Sequence, residues 1–387
     1  MGPGGDPCRD PGQPAPPAPG RRRPEPGPAD QLGPPALGRR QPAVHAQPHR
    51  PRRPGTPRAL PSGMNRYRLP PPKTEEKRRD AMNRFSVLLL ATALCSAGNV
   101  WAEDAACSTV KLGDPGWSDI AVTNGIASFL LEGLGYTAKS QTLAVPIIFA
   151  GLQKGQVDVF LGNWMPAQQS NYDKFVASGE VDKLAQNLEG TEYTLAVPSY
   201  AYEAGVKTFA DLDKHADQFG RKLYGIASGS PANESIKQMI ATDEFGLGDW
   251  KLVESSEQAM LVQVGRAVKR EQFVVFLGWT PHPMNVQYDM QYLRGGEKYF
   301  GDSGQVNTLA RKGYAAQCPN VGKLMSNLAF TQDMENSIMD QVLSKEASND
   351  AAIKAWLKAN PQVLDGWLQG VTTRDGGDGL AAVKARL

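Results

Sequence analysis

Cysteine and histidine are both scarce, four of each in 387 residues. Past residue 102 only Cys107, Cys318, His215 and His282 remain, which leaves no ligand set for a structural metal. No G-x-S-x-G elbow occurs, and no Cys and His stand where a nucleophile and its base would be expected. Those gaps argue against a hydrolase or a metalloenzyme, and nothing in the chain asks for a cofactor. Long apolar runs are missing too: the stretch 85–98 covers 14 residues, short of the roughly 20 that span a bilayer as a helix. Basic charge is thin beyond the first 81 residues. Residues 103–387 carry 25 Lys and Arg against 33 Asp and Glu, a formal charge of −8, so nucleic acid is not an expected partner.

What the rest lacks, the first 81 residues hold in excess. They contain 21 of the 30 prolines, with sixteen Lys and Arg against seven Asp and Glu. Such a segment buries too little apolar surface to offset its ordering entropy and is expected to be disordered. Tyr67 is its only aromatic residue, which weakens the alternative of a nucleic-acid or lipid-binding arm. At Met82 the character changes. Met82-Asn83-Arg84, the apolar stretch 85–98 and Val100-Trp101-Ala102 have the layout of a secretory signal peptide over 82–102. A leader of this kind belongs at a start, so the 81 residues before it read as a spurious extension. The exported product is expected to begin at Glu103 and to be periplasmic. Two cysteines in an exported chain commonly pair, so Cys107 and Cys318 are a candidate disulfide, with two free thiols as the alternative.

Two stretches organise the remainder. VDVFLGNWMP at 157–166 is an apolar strand that ends in glycine and then presents Trp164. FVVFLGWTP at 273–281 repeats the pattern about a hundred residues on, with Trp279. Each follows a helix-like segment, 146–154 and 257–270. Two such units suggest two similarly built lobes, each offering an indole at the carboxyl end of a strand, where open α/β sheets bind ligands. Around them strands and helices alternate: a strand at 108–112, an amphipathic helix at about 120–134, a strand at 136–143. That alternation predicts an α/β fold with a parallel sheet. The chain is expected to cross from lobe I (103–192) into lobe II (193–294) near EYTLAVP, then to return to lobe I over 295–387. In that return 309–314, 323–328, 335–345 and 351–368 all read as mainly helical.

Trp117, Trp164 and Trp279 stand beside Gly or Asn and proline-bearing turns rather than on apolar stripes. Trp356 and Trp367 read as core, and Trp250 falls in a polar loop. A quaternary ammonium has no N–H to donate, and its diffuse charge is met by aromatic faces, each worth roughly 0.5–2 kcal/mol. Three or four rings plus methyl burial reach the roughly 8 kcal/mol of a micromolar site. Asp119 either balances the cation or caps its helix. An exported enzyme acting on a cationic metabolite is the other class to weigh, although Asp119 alone is no catalytic apparatus.

GDPGWSD, VFLGNWMP, EYTLAVP, GSPANE and VFLGWTPH together resemble the periplasmic substrate-binding proteins of bacterial ABC transporters for choline and glycine betaine, the choline-binding branch above all. The resemblance runs from Cys107 to the C-terminus. It implies a two-lobed type II binding-protein fold with the ligand cleft between lobes, acting as a monomer with a membrane permease and ATPase complex. It implies an aromatic box of Trp117 and Trp164 from one lobe and Tyr193 and Trp279 from the other. Among the tyrosines, Tyr200 and Tyr202 were equally eligible on sequence pattern alone. Asp119 and Asn233 are implied to serve the ligand's polar end or charge, although Asn233 also fits a helix cap. His282 and Ser230 read as structural. Glycine betaine or carnitine is the rival ligand.

Overall fold

The computed structural model describes residues 105–344 and 347–387. The segments 1–81 and 82–102, expected from sequence to be an extension and a leader, lie outside them. The fold opens with β1 (Thr109–Asp114), helix α1 (Ser118–Gly133), β2 (Thr137–Thr142), helix α2 (Val145–Gln153) and β3 (Val159–Met165). These strands pair in parallel with β1 in the middle. Helix α1 buries Ile120, Val122, Ile126, Leu130 and Leu131 against them, and each such side chain stabilises the fold by about 1.5–3 kcal/mol. Pro146 sits in the first turn of α2, where a missing N–H costs nothing.

β4 (Val181–Pro198) then runs through both lobes. Lobe II follows with β5 (Lys222–Tyr224), helix α3 (Pro231–Ala241), β6 (Lys251–Val253), helix α4 (Glu257–Val268), β7 (Val275–Thr280) and β8 (Met290–Tyr292). The chain comes back through β9 (Gly304–Arg311) to helices α5 (Pro319–Asn327), α6 (Gln332–Leu343) and α7 (Asn349–Ala359). Strand order is β2-β1-β3-β9-β4-β7-β5-β6, with β8 also on β4. The first part of β4, as far as Thr191, pairs antiparallel with β9, and from Glu192 onward its partner is β7. One strand therefore belongs to both lobes, and pairing changes hands between two consecutive residues.

Two expectations need correction. The sheet is mixed rather than parallel, because β4 and β9 run against their neighbours. Residues 309–311 are the end of strand β9, not helix. Val306 through Ala310 are buried without a break, so the stretch has no period-two alternation to mark it as a strand. Trp250 does lie in the loop before β6, but its ring is buried against Phe219, with ring centroids 5.8 Å apart.

Cys107 and Cys318 are joined in a disulfide with Cα atoms 5.6 Å apart. The bond fastens the residue just before β1 to the start of α5, holding the returning segment on the lobe where the chain began. Among the described residues no helix is long and apolar enough to cross a membrane.

Candidate functional site

The repeated VFLG-Trp pattern places two indoles at one place. In β3, Gly162 is the glycine of the first copy, and a Cβ there would meet Ile120 Cδ1 at 2.7 Å. The bare backbone thus lets the first turn of α1 settle against β3, which brings Trp117 and Asp119 to the side of Trp164. In β7, Trp279 lies directly opposite Tyr193 in the antiparallel register with β4. Trp164 and Tyr193 rings are 5.9 Å apart between centroids, and Tyr193 and Trp279 are 6.1 Å apart at a steep angle.

These rings line a cavity bounded by Trp117, Asp119, Trp164, Tyr193 and Trp279. Ala167, Gln168, Ile226 and Pro231 complete the wall. The cavity lies between the lobes. The indoles of Trp117, Trp164 and Trp279 keep only 8, 5 and 3% of their surface exposed. Among the described residues no Lys or Arg lines it.

Asp119 supplies the charge. It sits in the first turn of α1, a helix whose N-cap residue, Trp117, makes no side-chain cap hydrogen bond. Its Oδ2 accepts a hydrogen bond from Trp164 Nε1 at 2.9 Å, which fixes the plane of that indole. Its Oδ1 is buried without a hydrogen-bond partner among the described residues. Burial pushes the carboxyl up from its ordinary 3.8 to about 7, Glu257 adds to the rise, and the Trp164 hydrogen bond opposes it. Burial and then Asp119 likewise push the Tyr193 hydroxyl above its usual range, so that group stays neutral. Glu335 of α6 is a further buried acid, raised well above the ordinary value by burial and then by Asp119.

Asn233 is the sequence candidate that stays out of the cavity. Its Oδ1 accepts from Ile226 N–H at 3.1 Å, and its Nδ2 donates to the carbonyls of Ile226 and Ala227 and to Glu254. The side chain fastens the 226–227 loop, which positions Ile226 in the wall. Ser230 caps α3 by accepting from the Asn233 N–H at 3.3 Å. Tyr200 points elsewhere, its hydroxyl donating to the Gln272 carbonyl at 2.7 Å.

Several lining residues were not singled out from sequence. Ala167 and Gln168 directly follow the first Trp-x-Pro. Gln168 Nε2 donates to the Gly162 carbonyl at 2.7 Å and so braces the turn that carries Trp164. Pro231 opens α3 inside GSPANE, and Ile226 lies two residues past the end of β5. Adjacency to the quoted motifs was the one available signal for all four.

Residues 108–359, well over half of the chain, match the family described as the substrate binding domain of ABC-type glycine betaine transport systems. The chain belongs to this family. Members are substrate-binding proteins of transport systems, not enzymes. An ABC-transporter choline-binding protein solved in complex with choline is 44% identical, with a TM-score of 0.72 over 73% of this chain and 99% of that one. The lactococcal family member OpuAC, closed on glycine betaine, is 27% identical with a TM-score of 0.62, covering 68% of this chain and all of that one. A glycine betaine/carnitine transport binding protein of Listeria monocytogenes, GbuC, is 28% identical over 189 residues, 48% of this chain and 63% of that protein. Within the family, this chain's cavity lies where its two lobes meet.

Proposed function

We propose that this chain captures choline between its lobes and hands it to the permease and ATPase of an ABC importer. The observation that carries the reading is a cavity walled by four aromatic residues, free of Lys and Arg, with one carboxylate oxygen left unpartnered. Aromatic faces suit a trimethylammonium head, at roughly 0.5–2 kcal/mol per ring. In this reading Asp119 Oδ1, buried without a partner, takes the hydroxyl of choline, and its charge offsets the cation. Trp117, Asp119 and Trp164 hold the ligand from lobe I, Tyr193 and Trp279 from the far end of β4 and from β7. Asn233 acts on the ligand only through the loop it fastens.

Glycine betaine and carnitine carry the same head with a carboxylate, which wants strong donors such as Arg or Lys. A carboxylate beside Asp119 in a low-dielectric cleft is repelled. The relatives named for betaine favour that ligand as the second reading.

We further propose that 103–192 with 295–387 and 193–294 move as two bodies, hinged where β4 changes partners. Export through 82–102 to the periplasm belongs to the same reading, with one copy of the chain as the working unit. Titration calorimetry of the purified protein with choline, glycine betaine, carnitine and acetylcholine tests the ligand. Choline is expected to bind most tightly, and a preference for betaine would overturn the assignment. Intact mass of the exported protein is expected to begin at Glu103, and any residue of 1–81 retained would overturn the processing.

A further inference from the structure

Behind the cavity wall the lobes are joined by one carboxylate that does not line it. Glu257 opens α4 in lobe II and is buried. Its Oε2 accepts from the backbone N–H of Ser118 at 3.1 Å, and its Oε1 accepts from the Ser118 hydroxyl. Ser118 is the first residue of α1 in lobe I, between Trp117 and Asp119 of the cavity. Helix α4 has its own cap, Ser256 accepting from Ala259 N–H at 3.2 Å, so Glu257 is free to face the other lobe. Helix α1 has no side-chain cap of its own, and the carboxylate of Glu257 fills that place from across the cleft. An anion at a helix N-terminus also meets the favourable end of the helix dipole.

The other side of Glu257 leads back to the box. His282 Nδ1 accepts from Met284 N–H at 3.0 Å, which leaves Nε2–H to donate to Glu257 Oε1 at 3.2 Å. The His282 ring meets the Trp279 indole edge on, with centroids 5.0 Å apart. Contacts therefore run from Trp279 through His282 and Glu257 to Ser118, from one wall of the cavity to the other. No Lys or Arg among the described residues pairs with Glu257, whose side-chain partners are Ser118 and His282, and Glu257 acts electrostatically on Asp119. Two neighbouring buried acids without Lys or Arg between them favour a cation in the adjacent cavity and disfavour a third carboxylate.

We propose that Glu257 is the clasp of the cleft: by capping α1 from the opposite lobe it couples closure to negative charge behind the box, and so selects a cation over a zwitterion. Glu257 is a positioning residue here, acting through Ser118 and Asp119. The inference rests on reading the cleft as a quaternary ammonium site.

The test uses the purified protein with its disulfide intact, as wild type, Glu257→Gln, Glu257→Asp and Ser118→Ala. Affinities for choline, tetramethylammonium and glycine betaine are measured by calorimetry, dissociation by stopped-flow tryptophan fluorescence. Glu257→Gln is expected to weaken choline and tetramethylammonium roughly tenfold, the scale of one hydrogen bond to a charged group, and betaine less. The choline-to-betaine ratio therefore falls. Glu257→Asp keeps the charge and the ratio while shortening the reach, and Ser118→Ala speeds dissociation of all three ligands alike. An unchanged ratio in Glu257→Gln, or wild-type dissociation in Ser118→Ala, overturns the clasp. A wild type that prefers betaine defeats only the choline reading, and Glu257→Gln must then widen betaine's lead. A wild type that binds none of the three overturns both.

Discussion

The two copies of VFLG-Trp make an internal comparison. Both deliver an indole to the cavity, but they are anchored differently. In β3 one extra residue, Asn163, stands between glycine and tryptophan, and it is tied to Gln168 and Asn307. Trp164 is then held through its ring nitrogen by Asp119. In β7 tryptophan follows glycine directly, and Trp279 is held through its carbonyl, which accepts from Asn285 Nδ2 at 2.8 Å. Lobe I brings its carboxylate into the cavity beside the indole. Lobe II turns its acid, Glu257, toward the other lobe. The same local sequence thus places a ring, while the start of the neighbouring helix decides where the charge goes.

Breaking each copy in turn tests that asymmetry. Trp164→Ala removes a ring and also frees Asp119, so choline affinity is expected to fall about a hundredfold, the sum of one cation–π contact and lost burial. Trp279→Ala removes a ring and its edge contact with His282 but leaves Asp119 bonded to Trp164, and is expected to cost several times less. Calorimetry that finds the two losses equal would erase the distinction between the lobes.

Asp119→Asn comes next in size. It is expected to weaken choline about tenfold and betaine less, because both heads lose a charge partner while the carboxylate of betaine is also freed from repulsion. Equal losses for the two ligands would remove Asp119 from the charge balance.

The pH dependence sharpens the same point. Ligand-free Asp119 holds its proton up to about 7, against an ordinary 3.8. Between those values the fold keeps a proton that the unfolded chain has lost, so this group's contribution to stability declines as pH rises. A bound cation reverses the preference and expels the proton. Choline affinity is therefore expected to climb as pH rises toward 7 and to level off above it. The same calorimetric series on Asp119→Asn should be shallower, with buried Glu335 still able to titrate, and a wild-type profile no steeper than the variant's would contradict the ionisation.

Asn233→Ala is the smallest expected effect on binding, under about tenfold and alike for choline and betaine, since only the wall behind Ile226 loosens. A larger loss confined to one ligand would mean that Asn233 reaches it directly.

How much of this was legible depended on distance along the chain. The three tryptophans stood out because each sits inside a short glycine- and proline-marked motif. Tyr193 did not, since Tyr200 and Tyr202 shared its composition. It joins the cavity because it lies opposite Trp279 in the register of β4 with β7, a pairing between residues far apart in sequence. Asn233 was marked by a motif, yet its amide is consumed by the backbone of 226–227. Residues 309–311, the end of strand β9, were read as helix because burial on both faces removes the alternation that identifies a strand.

The sequence by itself determined the two-lobed α/β class, the paired strand-to-indole units, the placement of Trp117 and Asp119 at one helix start, and the family. Those features are local: a strand, a glycine and a ring a few residues apart need no distant partner to be recognised. Only the tertiary structure decided that β4 serves both lobes, that Tyr193 faces Trp279, and that Glu257 caps a helix 139 residues away in the chain. Each of these depends on which strands pair and where a helix start comes to rest, and packing of the whole chain settles that.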